Sequence, residues 1–365
     1  MNDKKRSASF KVSVVLISLG ILCCITSPIL RCLEIIESWI FVLLLFLGAF
    51  YIFLGVVGYA NDKNNRAKNN KRPENKELTP EIKEKYDKII EYVKAKSSSV
   101  SYHIDEISKD EPITLTDSKF GGYPYWTANK EYPVDASGNK MYLLAQINFE
   151  QMAPEDDLLP KSGILQFFTA DDDLCGANFE DPTDQKDFRV IYHSEIGEPL
   201  SVEQLREQGI KANIDLNYRE SMLPSVFEDA IRFTKTVDYI YVDTEEFEEY
   251  VKEAMLELYG QTISGSLYDK LDKTEYYYLI EPFSTFGHKM LGIPAFTQYD
   301  PRIREAEVPE GKKANTIEHY DTLLFQMDSH GHIMWGDSGV ANFFINSEDL
   351  KNLNFSDVLY NWDCM

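Results

Sequence analysis

The sequence has little cysteine and lacks the short signatures of the common enzyme families. Its five cysteines are Cys23, Cys24, Cys32, Cys175 and Cys364. An odd number without regular spacing excludes a disulfide framework and a paired-cysteine zinc site, and it fits a reducing compartment. The sequence also has no P-loop, GxGxxG, HExxH, GxSxG or paired CxxC motif. We therefore expect no cofactor, no metal site and no standard catalytic set, and an enzyme is the less favoured class.

Basic residues are also scarce in most of the chain. Residues 77–365 hold 26 basic and 55 acidic side chains, whereas residues 1–76 hold 11 basic and 5 acidic ones. Such an acidic surface repels polyanions, which excludes a nucleic-acid binder that works by neutralising phosphates. With 44% hydrophobic and 13% aromatic residues, the chain is not globally disordered.

Two uncharged apolar runs, residues 12–30 and 38–60, open the chain. Each approaches the ~20 residues that a helix needs to cross a bilayer, and the short connector between them predicts a transmembrane hairpin over residues 1–60. Basic residues flank both outer ends, so the positive-inside rule places the N-terminus and everything after the hairpin in the cytoplasm. The sequence thus predicts a multi-pass cell-membrane protein with the lipid bilayer as a partner. A cleaved signal peptide is the weaker alternative, because no small-x-small site follows the first run.

A basic, Asn- and Lys-rich stalk is predicted over residues 61–78, followed by an acidic cytoplasmic domain over residues 79–365. Capping residues predict helices that begin after Thr79 and Thr244, the second ending at Gly260, and short helices near Ser201 and Ser347. Aromatic and β-branched runs predict strands. These runs are Tyr142–Ile147, Ile164–Phe168, Val190–His193, Tyr239–Val242, Tyr276–Ile280 and Leu323–Met327.

An internal repeat runs through the acidic domain. Three blocks recur in the same order: Gly122–Thr127 with Gly292–Thr297, Leu143–Asn148 with Leu323–Asp328, and Gly163–Phe168 with Gly339–Phe344. They predict a duplicated strand unit, with repeats at about 119–170 and 290–346, in which each Gln and the following Asn or Asp are pseudo-equivalent. Runs of strands with scattered helices predict an α+β fold. The expected fold class is an internally duplicated β-sheet domain with a few flanking helices, preceded by two transmembrane helices.

Longer motifs resemble the YwqG-like family of bacterial domains of unknown function. They are GGYPYW, LLAQINFE, GILQFF, FRVIYH, LGIPAFTQYDPR, TLLFQMDS, IMWGDSGVANFFI and LYNWDC. The resemblance covers about residues 80–365 and implies an α+β fold with internal duplication. It implies no reaction, cofactor or substrate. Many relatives resemble a free soluble domain, so the predicted hairpin is a departure from the family.

The stretch from residue 299 to residue 337 is dense in polar and aromatic side chains. Carboxylates, an arginine and aromatic rings in one cleft suit a polar ligand or a peptide. The same residue types also serve as turn caps, hairpin corners and core anchors, which is the favoured interpretation. The candidate residues are Tyr299, Asp300, Arg302, His319, Asp321, Gln326, Asp328, Trp335 and Asp337.

Three further groups are weaker candidates. His330 and His332 would share a strand face and suit a metal, but Gly331 between them favours a solvated hairpin turn. The acidic run at 171–173 resembles a calcium loop, but Pro182 stands where the bidentate Glu belongs, so a solvated loop is favoured. Cys364 has no local base or oxyanion hole, so a catalytic role is disfavoured.

Two functions therefore remain, beside a purely structural role. The favoured one is a membrane-anchored module that binds a basic protein through its acidic surface, and an immunity-like inhibitor of a basic toxin is one concrete form. The alternative is a small-molecule- or metal-dependent enzyme that uses Asp300, Arg302, Asp321 and Asp337. Convergence of those four side chains in one pocket would favour the enzyme, and dispersal into turns would count against it.

Overall fold

The computed structural model describes residues 77–107, 112–303 and 315–365. The described residues within 79–271 and 275–365 form one compact unit. The strands are β1 (Ser99–Ile107), β2 (Lys119–Phe120), β3 (Tyr142–Asn148), β4 (Ile164–Thr169), β5 (Phe188–His193), β6 (Asp229–Asp238), β7 (His288–Leu291), β8 (Thr322–Asp328), β9 (Val340–Ile345) and β10 (Val358–Asp363). The helices are α1 (Pro80–Lys96), α2 (Phe149–Met152), α3 (Val202–Glu207), α4 (Glu245–Tyr259), α5 (Leu267–Lys270), α6 (Lys273–Ile280) and α7 (Ser347–Lys351).

The two longest described helices form where capping chemistry and apolar spacing agree. The Thr79 hydroxyl accepts from the N–H of Ile82 at the start of α1, and the Thr244 hydroxyl accepts from the N–H of Phe247 at the start of α4. α4 ends at Gly260, which adopts a left-handed conformation. The buried faces of the two helices pack together in a core of their own. Those faces are Tyr86, Ile89, Ile90 and Val93 in α1, and Phe247, Val251, Ala254 and Met255 in α4.

All ten described strands join one antiparallel sheet. Their order is β10-β9-β8-β7-β1-β6-β2-β3-β4-β5. The central pair, β1 with β6, is the longest ladder and runs from Ser99 opposite Asp238 to Ile107 opposite Ala230. Two four-stranded groups therefore extend from the central β1–β6 pair. β7 to β10 lie on the β1 side, and β2 to β5 lie on the β6 side.

The two ends of this sheet fold back onto each other. The ring of Phe167 on β4 lies 4.7 Å from that of Phe325 on β8, and the ring of Phe188 on β5 lies 5.1 Å from that of Tyr360 on β10. The N–H of Tyr360 also donates to the carbonyl of Pro182, at 2.8 Å. One apolar core drawn from both groups of strands fills the space between them.

The two groups of strands have the same pairing pattern. Between β3 and β4 the register shifts from Leu143 to Ala145, and between β8 and β9 it shifts at the matching place, from Leu323 to Phe325. The β2–β3 ladder sets Lys119 opposite Gln146, and the β7–β8 ladder sets Lys289 opposite Gln326. Each bulge therefore bends its own group of strands at the same point.

Buried glutamines repeat the same hydrogen bonds in each group. Gln146 accepts from the N–H of Tyr125 and donates to the carbonyls of Leu115 and Asp117. Gln326 accepts from the N–H of Ala295 and donates to the carbonyls of Thr285 and Gly287. Each glutamine thus fixes the chain on both sides of a short strand, β2 in one group and β7 in the other.

This architecture corrects the fold class expected from the sequence. The prediction was an α+β domain preceded by two transmembrane helices, whereas the described residues form one large antiparallel sheet with few helices. Across residues 77–107, 112–303 and 315–365, none of the helices has the length and apolarity needed to cross a bilayer. The predicted multi-pass membrane localisation is corrected on that finding. The predicted spans 12–30 and 38–60, and residues 61–76 of the predicted stalk, lie outside the described residues.

Two predicted strands are also wrong. β6 already ends at Asp238, so the run Tyr239–Val242 follows the strand instead of forming one. The run Tyr276–Ile280 is helical and belongs to α6. Leu279 is buried in the helical core, and this packing decides the conformation of a tyrosine-rich run that has no clear period.

Candidate functional site

Asp300 and Arg302, the centre of the sequence-predicted cluster, form a closed structural clamp. The Asp300 carboxylate accepts from Nε of Arg302 at 2.9 Å and from Nη2 at 2.7 Å. Nη1 of Arg302 donates to the carbonyl of Tyr320, and the guanidinium lies 4.3 Å from the centroid of the Phe344 ring. These contacts occupy the arginine within the fold, so it is not presented to a ligand.

His319 and Asp321 hold a turn and the start of α7. Nε2 of His319 lies 3.1 Å from the Asp357 carboxylate. The Asp321 carboxylate accepts from the backbone N–H and the hydroxyl of Ser347, at 2.8 and 2.6 Å. Both side chains therefore fix local structure.

The remaining predicted residues are spread through the fold. Gln326 is fully buried, Trp335 is 1% exposed and packs near Trp362, and Tyr299 and Asp337 are exposed. The structure thus joins Asp300 to Arg302 but disperses Asp321 and Asp337 into other turns. Asp328 alone among the nine lines the cavity described below.

The other sequence candidates are turns in the structure. His330 contacts Glu106, and His332 contacts Asp229, so the two imidazoles face different carboxylates. In the acidic run, the Asp172 carboxylate accepts from the N–H groups of Leu174 and Gly176.

A cavity of about 260 Å³ lies where the end of β1 meets the start of β7. Its wall carries six titratable side chains, three of them histidines. The lining residues are His103, Ile104, Asp105, Glu106, Gly287, His288, Asp328 and His330. β1 supplies four of them, and the β7–β8 region supplies the rest.

His288 is the most buried ionisable group of this cavity, at 5% exposure. Its Nδ1 accepts from the backbone N–H of Asp328 at 3.0 Å. Burial, together with the neighbouring His330, lowers the pKa of His288 to about 4. A neutral imidazole that accepts at Nδ1 carries its proton on Nε2, so His288 presents a fixed N–H donor. No described group accepts from this buried Nε2.

Glu106 faces that donor. Its Oε2 lies 3.2 Å from Nδ1 of His330, while its buried Oε1 has no hydrogen-bond partner among the described residues. Oε1 lies 3.8 Å from Nε2 of His288, which is too far for a direct hydrogen bond. A donor and an acceptor without hydrogen bonds to described residues therefore lie on two residues that line the same cavity. Buried polar groups are rarely left unsatisfied.

Asp328 also lines this cavity, and its backbone N–H contacts His288. Burial raises the pKa of its carboxyl, although bonds from the N–H groups of Gly287 and Ser329 act in the opposite direction. Because the backbone N–H of Asp328 sets the tautomer of His288, this residue orients the imidazole.

Glu106, His288 and His330 each offer a ligand atom, and these atoms lie within 4.8 Å of one another. Two imidazoles and a carboxylate are a set that zinc accepts. However, a metal at Nε2 of His288 requires the proton to be on Nδ1, where it would meet the N–H of Asp328. Metal-bound histidines normally donate from the second nitrogen. The site therefore does not suit a metal unless this imidazole turns.

The other half of the sheet shows what is special about this site. There the N–H of Asn148 donates to the hydroxyl of Ser118, just as the N–H of Asp328 donates to His288. Ser118 directly precedes Lys119 of β2, and His288 directly precedes the equivalent Lys289 of β7. Ser118 and Asn148 are neutral, whereas the equivalent His288 and Asp328 are titratable. The backbone hydrogen bond that both pairs make therefore does not by itself require titratable side chains.

Sequence reasoning missed Glu106 and His288. Neither lies in a motif, and their approach depends on the pairing of β1 with β7, in which Ile104 lies opposite His288. A signal was available, because extending the first repeat block upstream aligns Ser118 with His288 and shows the gain of an imidazole.

Residues 118–364 match the protein family described as Domain of unknown function (DUF1963). The chain belongs to this family. The DUF1963 match runs from β2 to β10, so it includes His288, Asp328 and His330, whereas Glu106 on β1 precedes it. No curated protein matches the chain.

Proposed function

We propose that this DUF1963 protein binds a small polar ligand in the cavity between Glu106 and His288. One observation carries the proposal: a buried donor, Nε2 of His288, and a buried acceptor, Oε1 of Glu106, lie 3.8 Å apart, and neither makes a hydrogen bond within the part of the chain that the structure describes. Leaving such groups unpaired costs about 1–3 kcal/mol each. A ligand that satisfies both recovers that cost and gains affinity from it.

The geometry supports binding better than a reaction. Asp328 holds His288 as a neutral donor, and its pKa of about 4 keeps it so at neutral pH. A general base needs a pKa near the working pH. A fixed donor beside a carboxylate instead gives orientation and selectivity.

Ligand-observed NMR with a library of neutral polar fragments tests this function. We expect several fragments to bind the wild-type full-length protein and to be lost from Glu106→Ala and His288→Leu variants. His319→Gln serves as the control, because that histidine contacts Asp357 and is not among the residues that line the cavity. Far-UV circular dichroism establishes that each variant is folded. If no fragment binds, or if the cavity variants bind as the wild type does, the unpaired groups hold only water and the proposal is wrong.

A second candidate is a module that binds a basic protein, with an immunity-like inhibitor as one form. Its support is the excess of 55 acidic over 26 basic side chains in residues 77–365. A cavity of about 790 Å³ beside α4 adds a local focus for that charge. Its lining includes the acids Asp243, Glu245, Glu248 and Glu249 and the tyrosines Tyr268, Tyr276 and Tyr277.

Fluorescence anisotropy with a labelled Lys- and Arg-rich peptide tests this candidate. We expect binding to weaken between about 50 and 200 mM salt, because exposed charges are then screened. The variant Glu245→Gln/Glu249→Gln should weaken it further, while Glu180→Gln/Glu195→Gln, which removes equal charge elsewhere, should not. Equal effects of the two variants would show nonspecific attraction.

The YwqG-like affiliation within the family is likewise a proposal, supported by the motifs quoted above.

A further inference from the structure

We infer that the ligand of this cavity is a compact, neutral molecule that presents a hydrogen-bond acceptor and a donor on two atoms bonded to the same carbon, as a primary carboxamide or a lactam does. This inference rests on the ligand-binding function proposed above and names the ligand's chemical class. It follows from the order, spacing and surroundings of the two unpartnered atoms.

The donor side of the site is fixed by the backbone. Because the N–H of Asp328 donates to Nδ1 of His288, the Nε2 atom carries the proton and can only donate. The Asp328 N–H is part of the chain and cannot exchange its role. The ligand atom that meets His288 is therefore an acceptor.

The acceptor side is the Glu106 carboxylate. Its Oε2 contacts His330 at 3.2 Å, which leaves Oε1 for the ligand. A carboxylate has no proton to give, so the ligand atom that meets Oε1 is a donor. The ligand must therefore present an acceptor to His288 and a donor to Glu106.

The distance between Nε2 of His288 and Oε1 of Glu106 decides whether one ligand atom or two separate ligand atoms bond this pair. If one hydroxyl oxygen bonded both groups at about 2.8 Å, its two bonds would meet at less than a right angle across the 3.8 Å gap. Separate bonds to the oxygen and the nitrogen of one amide group avoid that strain. Asn and Gln side chains use such paired bonds when their amides contact the adjacent donor and acceptor of adenine.

The surroundings favour a small and uncharged ligand. The cavity holds about 260 Å³, below the roughly 300–1,000 Å³ of drug-sized sites. Asp105, Glu106 and Asp328 repel an anion, while the N–H of His288 opposes the second N–H that an amidinium would place against it. A neutral amide satisfies both ends without either conflict.

Benzamide, benzoate and benzamidine test the inference, because they share one shape but offer acceptor with donor, two acceptors, and two donors. Titration calorimetry or NMR with the full-length protein should show benzamide binding at least tenfold tighter than either charged analogue. Glu106→Ala should weaken benzamide at least tenfold, because it removes a bond to a charged group. Glu180→Ala, a substitution of an exposed acid, should leave its affinity unchanged.

The outcomes separate this inference from the proposed function. If benzamidine or benzoate binds more tightly than benzamide, or if only other polar fragments bind, the ligand class is wrong but ligand binding stands. If benzamide binds equally well to Glu106→Ala, the paired-bond geometry is wrong. If none of the three probes and no library fragment binds, the inference and the proposed function fail together.

Discussion

At the scale of single residues, Gly292 shows how tightly the second half of the sheet is built. It follows β7 with φ of +78°, and a Cβ there would overlap the Asp238 carboxylate and lie 2.6 Å from Cβ of Ser101. That carboxylate is 3% exposed and accepts from Nζ of Lys289 at 2.6 Å and from the N–H of Ile293. A side chain at Gly292 would therefore displace a buried ion pair.

Gly292→Ala should accordingly destabilise the protein by about 3 kcal/mol or more, the sum of left-handed strain and a disturbed buried pair. Gly260→Ala is the matched control, because Gly260 also has positive φ, +61°, but no atom lies within 4 Å of its Cβ position. That variant should lose about 1 kcal/mol. Urea unfolding measures both, and equal losses would show that the close approach at Gly292 has no energetic weight.

The same scale marks the limit of what the sequence could predict about the site. Turn chemistry is local, so the turn and capping interpretation of residues such as Asp300 needs only its neighbours in sequence. The Glu106–His288 pair is formed by strand pairing between distant segments, and its unpartnered atoms depend on a backbone N–H of Asp328. No residue pattern encodes that orientation.

At the scale of elements, the buried glutamines tie short strands to their flanking loops. Gln326 bonds the N–H of Ala295 and the carbonyls of Thr285 and Gly287, on both sides of β7. Gln326→Leu leaves these three backbone groups without their partner and should cost about 3 kcal/mol or more. Gln208→Leu, at an exposed position after α3, should be nearly neutral.

His288 is the first residue of β7, so Gln326→Leu has a second expected consequence. A looser Gly287–His288 backbone should weaken benzamide binding in Gln326→Leu even where the protein remains folded. Gln146→Leu, the corresponding change beside β2, also removes a bond from Gln166, so it should cost at least as much stability but leave the ligand affinity intact. Thermal unfolding measures the stability of each variant, and NMR titration measures its affinity for benzamide. An equal loss of affinity in both variants would show that the two groups of strands do not act independently.

Elements with strong local signals could be predicted, and the others could not. α1 and α4 begin after the predicted caps, Thr79 and Thr244, because capping and apolar spacing act within one segment. The run Tyr276–Ile280 became helical through packing, which overrides the β-propensity of its tyrosines. β1 and β6 were missed because their outer positions are polar and half-exposed.

At the scale of the whole molecule, the repeat predicted which segments would be strands but not how they would assemble. The three repeat blocks cover β3, β4, β8 and β9, whose bulges match. The sheet order is set instead by the central β1–β6 ladder, which lies outside the blocks. The α+β prediction was wrong for that reason, since local patterns count strands and helices but do not show that all strands share one sheet.

Whole-molecule stability should fall on mild acidification, because two buried histidines are neutral in the fold. Burial, reinforced by Lys130, lowers the pKa of His193 to about 4, and burial lowers that of His288 to about 4. Nε2 of His193 bonds Oε1 of Gln166 at 2.9 Å, and Nδ1 lies 3.4 Å from the Lys130 ammonium, where a second proton would be repelled.

The sign follows from proton binding. Between about pH 6.5 and pH 4 the unfolded chain binds protons at these histidines and the folded chain does not, so stability is full above the unfolded pKa and is lost as the pH falls. Each histidine contributes at most about 3 kcal/mol. His193→Gln can keep the bond to Gln166 but cannot titrate. Urea unfolding at about pH 7 and pH 4.5 should therefore show a smaller acid loss in His193→Gln than in the wild type or in Gln208→Leu. Parallel losses in all three would mean that folding does not lower the pKa of His193.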